Sequence, residues 1–278
     1  MEMNEKLRAL QLTQLEILKV FDKICKDHGL RYSLYAGTLL GAVRHGGFIP
    51  WDDDLDVCMP RYDYDRFISL WEKAAPEGYI LQNKELEPAF TQSFTKLRKD
   101  HTTFLQDEWE IGNHHTGIFL DIFPIDRMPE GKLPRLVFRW NCMLYQLYTR
   151  EFVPVQYGKT VQLGTSVLLK LTPEHKRPAL RRKLLAKITK FGDSPKLKAA
   201  TVETISAMQI KYPPQMPVRY ITIPFEDGQF LCFEDWDDHL RRKFGNYMEL
   251  PPEEERTWKH HPIIIDFERN YEELEHKV

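Results

Sequence analysis

The sequence predicts an α/β fold of the α+β kind, a mixed sheet with flanking helices followed by a mainly helical C-terminal part. Residues 1–130 interleave helix-period and strand-period segments, whereas residues 131–278 are dominated by helical spacing of apolar residues. No internal repeat and no low-complexity tract breaks that order, and no apolar run is long enough for a membrane span. The expected organisation is therefore a core over 1–130 with the region 131–278 packed on it.

Each element has its own signal. From Leu7 to His28, Leu10, Leu15, Leu18, Phe21 and Cys25 recur at three- and four-residue spacing, and Gly29 stops the helix. A short β-rich run, Arg31 to Ala36, leads through Gly37-Thr38 into a compact helix, Leu39 to His45. Gly46-Gly47 and Pro50 break the chain. Asp54 to Met59 then alternates acid with apolar residues as a strand does, Pro60 ends it, and Tyr62 to Ala75 is a second amphipathic helix. Between Tyr79 and Asp126 the runs YILQN, FTQSFTKLRK, TTFLQ and GIFLDIFPID read as strands. Helices are expected near 134–152, 177–191 and 196–210, then a β pair (RYITIPF and FLCFE) and a helix from Trp236 to Phe244.

With 278 residues and 33.0 kDa the chain can bury a full core. A net charge of −2 gives no reason to expect nucleic-acid binding. The charge is uneven, however. Between Lys159 and Lys198 cations far outnumber the two acids, Glu174 and Asp193, which suggests a surface for phosphates or an anionic membrane, or else a solvated helix face. Cys25, Cys58, Cys142 and Cys232 form no CxxC pair and have largely apolar neighbours, as buried thiols in a reducing compartment do. The first residues alternate charge with apolar side chains and do not read as a signal peptide, so a cytoplasmic location is expected.

The chemistry concentrates in GFIPWDDDLDVCMPRYDYDRF, residues Gly47 to Phe67. In an extended segment Asp52, Asp54 and Asp56 face one way and Asp53 the other, where a turn or cap role is expected. Like charges this close repel, and burying them without a counter-ion is unfavourable. A divalent ion answers that problem, and Mg²⁺ prefers such oxygen ligands while leaving room for substrate phosphates. Asp121 in GIFLDIF, flanked by apolar residues, offers a third carboxylate; Asp126, after Pro124, reads as a turn residue. Gly37-Thr38, at a strand-to-helix junction, permits close approach of a phosphate to a helix N-terminus. Strand, Gly-Thr, helix, DxD strand and a later apolar-flanked Asp follow the order of the nucleotidyltransferase superfold. A calcium loop starting at Asp52 fails, with Val57 at its sixth position and Asp63 at its twelfth. The DxD of a sugar-nucleotide glycosyltransferase is more credible, but too little chain precedes Asp54 for a nucleotide-binding half. No P-loop pattern is present.

YAGTLLGAVRHGGFIPWDDDLDVCMPRYDYDRF resembles the signature block of the LicD family, which includes bacterial phosphocholine transferases and is related to fukutin-type ribitol-phosphate transferases. GIFLDIFPID and FGNYMELPPEEERTWKHH are similar to LicD-type segments too. The resemblance implies transfer of phosphocholine, or a similar phospho-alcohol, from CDP-choline or another CDP-alcohol to a hydroxyl of a glycan or lipid-linked glycan, releasing CMP. It implies that Asp54, Asp56 and Asp121 hold Mg²⁺ or Mn²⁺ (two ions), with Asp121 also a base, and that Gly37 and Thr38 cradle donor phosphates. Asp52 is a further candidate ligand. Other readings are an enzyme attacking the α-phosphate of a nucleoside triphosphate and a non-catalytic glycan- or partner-binding protein.

Supporting residues carry two readings each. Lys96 and Arg98 alternate onto one strand face and either neutralise phosphate or belong to a solvated edge. Arg44 and His45 follow the Gly-Thr helix and are candidate donor contacts. Trp51 is expected to pack beside the strand rather than stack on a base, and His260-His261 to be structural. The apolar helix Leu133 to Tyr148, punctuated by Arg135 and Arg139, reads as core or as a site for a lipid-linked acceptor at the inner membrane surface.

Overall fold

Leu10, Leu18, Phe21 and Cys25 lose all contact with solvent and form the inner stripe of α1 (Met3–His28). The structure, a computed structural model, describes residues 3–153, 158–202, 204 and 207–275. Gly29 ends α1 with φ at +63°, a left-handed turn that suits glycine. The chain then forms β1 (Ser33–Leu34), α2 (Ala36–His45), β2 (Asp56–Pro60) and α3 (Arg61–Ala74). The strand-rich part supplies β3 (Tyr79–Gln82), β4 (Thr95–Lys99), β5 (Thr103–Leu105) and β6 (Phe119–Arg127).

The main sheet runs β1-β2-β6-β4-β3. β2 and β6 are parallel, and the other pairs along that path are antiparallel, so the sheet is mixed as the sequence predicts. β6 is buried along all nine residues, which explains its near-continuous apolar run. Its charged exceptions are accounted for by partners. Arg61 donates to Asp126 through Nε at 2.8 Å and Nη2 at 2.7 Å, a two-pronged pair in the interior. Asp126 is thus a strand residue that pins α3 to β6, and not the turn residue expected.

The second half comprises α4 (Lys132–Arg150), α5 (Gly158–Leu171), α6 (Arg177–Thr189), β7 (Ala199–Thr201), β8 (Tyr220–Phe225), β9 (Gly228–Phe233), α7 (Trp236–Phe244), β10 (Ile264–Asp266) and α8 (Tyr271–Glu275). Among the described residues the helix expected over 196–210 is absent: β7 occupies its first part and a short 3₁₀ turn, Ala207–Gln209, follows. The reason lies in β6. It outruns β4, which pairs only with Phe119–Ile122, and β7 takes up the backbone at Ile125–Arg127. Unpaired buried peptide groups outweigh the helix propensity of a short Lys- and Ala-rich segment. α5 is a helix that the sequence reading did not mark; Gly164 and its β-branched residues blur the period. β8 and β9 form a hairpin, and β10 pairs with β5, carrying the C-terminal part back to the first half. The four cysteines are buried free thiols, as expected.

Candidate active site

Strand register builds the site's floor. Asp56 stands opposite Asp121 across the parallel β2–β6 pair, and Lys96 stands opposite Asp121 across β6–β4. Residues in register share a sheet face, so the three form a row of acid, acid and base. Lys96 Nζ donates to Asp121 Oδ1 at 2.6 Å and sits 3.3 Å from the centre of the Phe119 ring. Arg98, two residues on, is turned to other work: its guanidinium donates to Gln82 Oε1 at 2.6 Å and the Gly117 carbonyl at 2.5 Å.

Strand pairing starts at Asp56, so Asp52, Asp53 and Asp54 lie in the connection before it. Their backbone is held by α1, where buried Gln11 donates to the Asp52 carbonyl and buried Gln14 to the Asp53 carbonyl, both at 3.0 Å. The expected division of faces holds only in part: one carboxylate oxygen each of Asp52, Asp53 and Asp54 lies within 4.8 Å of the others, and the His260 ring stands 3.1 Å from Asp53 and 4.0 Å from Asp54. Asp53 accepts from the His260 amide at 2.8 Å and the Lys259 amide at 3.3 Å, and its Oδ1 pairs with His260 Nδ1 at 3.1 Å. It is neither cap nor turn but the anchor that ties the C-terminal segment to the aspartate loop, which makes His260 structural in the first instance.

α2 abuts the same loop. A side-chain carbon at Gly37 would stand 2.7 Å from Asp52 Oδ2, so glycine lets the helix start approach this buried carboxyl without displacing it. Thr38 Oγ1 accepts the Asp56 amide proton at 2.8 Å and sets the entry into β2. At the helix's other end Arg44 Nη1 donates to the carbonyls of Tyr247 (2.9 Å) and Glu249 (3.2 Å), holding the loop after α7 in place. Arg44 Nε also donates to His45 Nε2, and His45 meets Trp51 edge-on.

Between α2 and that loop opens a cleft of about 670 Å³. Asp52, Asp54 and Asp56 line one side; Lys243, Tyr247, Glu249 and Lys259 line the other. Trp51 borders the cleft, with the Arg256 guanidinium 5.5 Å over its ring. Lys243 and Lys259 lie some 200 residues from the aspartates and were not singled out in the sequence; the LicD-like tail segment was the one signal that pointed to their neighbourhood.

The electrostatics are those of acids held together against their preference. Burial, then the charges of Asp54 and Asp53 outweighing that of Lys259, pushes the Asp52 carboxyl up to about 8. Burial, with the charges of Asp54 and Asp121, lifts Asp56 well above the carboxylate range. Asp56 keeps an edge open to the cleft, yet dense protein surrounds the rest of it, so desolvation dominates. Burial also raises Asp121, although Lys96 pulls the other way. His260 is lowered by burial but raised overall by its hydrogen bond to Asp53 and the charge of Asp54.

Residues 29–131 match the family described as LicD/FKTN/FKRP, nucleotidyltransferase domain. The chain is 30% identical over 278 aligned residues to a lipopolysaccharide cholinephosphotransferase, LicD, of Haemophilus influenzae, covering 91% of this chain and 96% of that protein. The chain belongs to the LicD family of transferases. An uncharacterized protein of Rickettsia prowazekii is 24% identical over 62% of the chain and 70% of its own length. Human ribitol 5-phosphate transferase FKRP is 47% identical over a short stretch, 18% of this chain and 10% of its own length.

The LicD-family match includes all four aspartates that share one field. One carboxylate oxygen each from Asp52, Asp53 and Asp54 can lie within 4.8 Å of the others, but Asp53 is engaged by the C-terminal segment. That leaves Asp52 and Asp54, with Asp56 and Asp121 on the strands beneath. An all-carboxylate donor set in which burial raises Asp52, Asp56 and Asp121 fits a hard divalent cation, because such an ion supplies the positive charge that burial withholds.

Proposed function

We propose that this protein transfers phosphocholine, or a similar phospho-alcohol, from a CDP-activated donor to a hydroxyl of a cell-surface glycan or its lipid-linked precursor, releasing CMP. The observation that carries the proposal is that Asp52, Asp54 and Asp56 line a cleft that Lys243 and Lys259 also line, with Asp121 in register beside Asp56 beneath it. The names of the relatives support it, since one is a cholinephosphotransferase and another a ribitol 5-phosphate transferase.

In this reading Asp54, Asp56 and Asp121 hold Mg²⁺ or Mn²⁺, two ions, with Asp52 as a further ligand. Bound there, the metal neutralises donor phosphates and stabilises charge at the attacking and leaving oxygens. The chain's own residues do the remainder. The N-terminus of α2, at Gly37 and Thr38, presents backbone amides to the donor phosphates. Lys243 and Lys259 favour the phosphate of departing CMP. Lys96 keeps Asp121 oriented, and Asp121, its proton affinity raised by burial, accepts the proton of the attacking glycan hydroxyl. The new oxygen–phosphorus bond forms at the β-phosphorus while the bond to CMP breaks.

The test is product identity. Incubation with CDP-choline, glycan acceptor and Mg²⁺ is expected to yield CMP in proportion to acceptor modified. Pyrophosphate from CTP would instead identify a nucleotidyltransferase. Neither product across several CDP-alcohols and acceptors would favour a binding protein.

A further inference from the structure

α4 has two faces of opposite character. Phe138, Cys142 and Leu147 are buried, whereas Leu133, Leu136, Val137 and Trp140 are 70%, 52%, 52% and 55% exposed. Spacing of three and four residues puts the exposed set on one side of the helix. α5 repeats the pattern, with Val161, Val167, Leu168 and Leu171 turned outward while Leu169 is buried. A narrow groove of about 100 Å³, lined by Trp140 and Leu144 of α4, Val161 and Leu168 of α5 and the intervening Phe152, joins the two faces. Ten of the twenty exposed large apolar residues among the described residues fall between Leu133 and Leu171, and the shared groove links the α4 and α5 sets.

Its charge is one-sided. α4 and α5 contain Lys132, Arg135, Arg139, Arg150, Lys159 and Lys170 and no aspartate or glutamate. Beside Leu136, Arg135 and Arg139 meet Lys211 around a second open cavity. A second copy of the chain would set cation against cation on this face. A surface offering acyl chains next to phosphates satisfies both the apolar residues and the cations. Among the described residues no helix is long and apolar enough to cross a membrane, so the contact is with the surface.

We propose that the α4–α5 face docks on a bilayer containing anionic phospholipid. The inference does not rest on the transfer reaction. It is tested by flotation of the intact protein with phosphatidylcholine vesicles with and without phosphatidylglycerol, at low and high salt. The protein is expected to float with the anionic vesicles at low salt and to be released by high salt. Two double variants at exposed positions, Leu136→Ser with Trp140→Ser and Arg135→Glu with Arg139→Glu, are each expected to weaken partitioning roughly tenfold or more, with unchanged circular dichroism. Wild-type protein left in the lipid-free fraction, or binding that both double variants preserve, overturns the proposal. So does a dimer in light scattering that the Leu136/Trp140 variant dissociates, because the face would then belong to a second copy.

Discussion

Asp56 is held where a carboxylate is least comfortable, in dense protein beside Asp54 and opposite Asp121. Replacing it separates function from stability. Asp56→Asn, like Asp54→Asn, is expected to lower turnover by about a thousandfold, the scale of a lost metal contact. The midpoint of thermal unfolding of metal-free Asp56→Asn should match or exceed that of the parent, since a like-charge repulsion is removed. An active Asp56→Asn enzyme would sink the metal assignment. At this scale the sequence marked the aspartate run and, in GIFLDIF, Asp121, which strand register sets beside Asp56; a period of two did not by itself say that the C-terminal segment would take up Asp53. What it hid were partners distant along the chain. Nothing local in FTKLRK says that Lys96 meets Asp121 while Arg98 turns to Gln82 and Gly117, because that depends on strand register.

Elements explain the next layer. α3 and β6 are joined by Arg61 and Asp126, buried at 8% and 1% exposure and bonded through two contacts. Removing one partner leaves an uncompensated buried charge, so Asp126→Ala should destabilise the fold by about 3–5 kcal/mol, read as a lower urea midpoint at similar slope. Arg61→Met combined with Asp126→Leu should recover much of that loss, which distinguishes charge burial from damaged packing. Most helices and strands were readable from periodicity alone, to within a few residues at their ends. The exception over 196–210 is instructive, because the decisive fact, the unpaired far end of β6, lies seventy-odd residues away. α5 escaped notice for another reason: Gly164 and its β-branched residues blur the helical period.

Across the whole molecule the acid cluster should make stability depend on pH and, in the proposed reading, on metal. A carboxyl whose folded pKa lies above its unfolded value stabilises the fold at low pH and gives that up as pH rises towards the folded value. Asp52, raised from 3.8 to about 8, acts in this sense, as do Asp56 and Asp121. Asp53, held low by His260 despite burial, acts oppositely, and its window lies below the ordinary carboxylate value. Metal-free protein should therefore melt several degrees lower near pH 8 than near pH 5, and Mg²⁺ should restore most of the difference at the higher pH. A melting temperature indifferent to pH and Mg²⁺ would contradict a shared cation site. The site also spans the chain's length: α1 holds the backbone of the aspartates, and residues 243–260 close the cleft over them. No short window of sequence could have displayed that closure.

The length of β6 has one more consequence. Asp121 and Arg127 are six residues apart on this strand, about 20 Å at the usual rise, and α4 packs with Met128 and Ala200 at the far end. The reacting centre and the α4 packing therefore sit at opposite ends of one strand, so the length of β6 bounds how far apart the chemistry and the exposed α4–α5 face can stand.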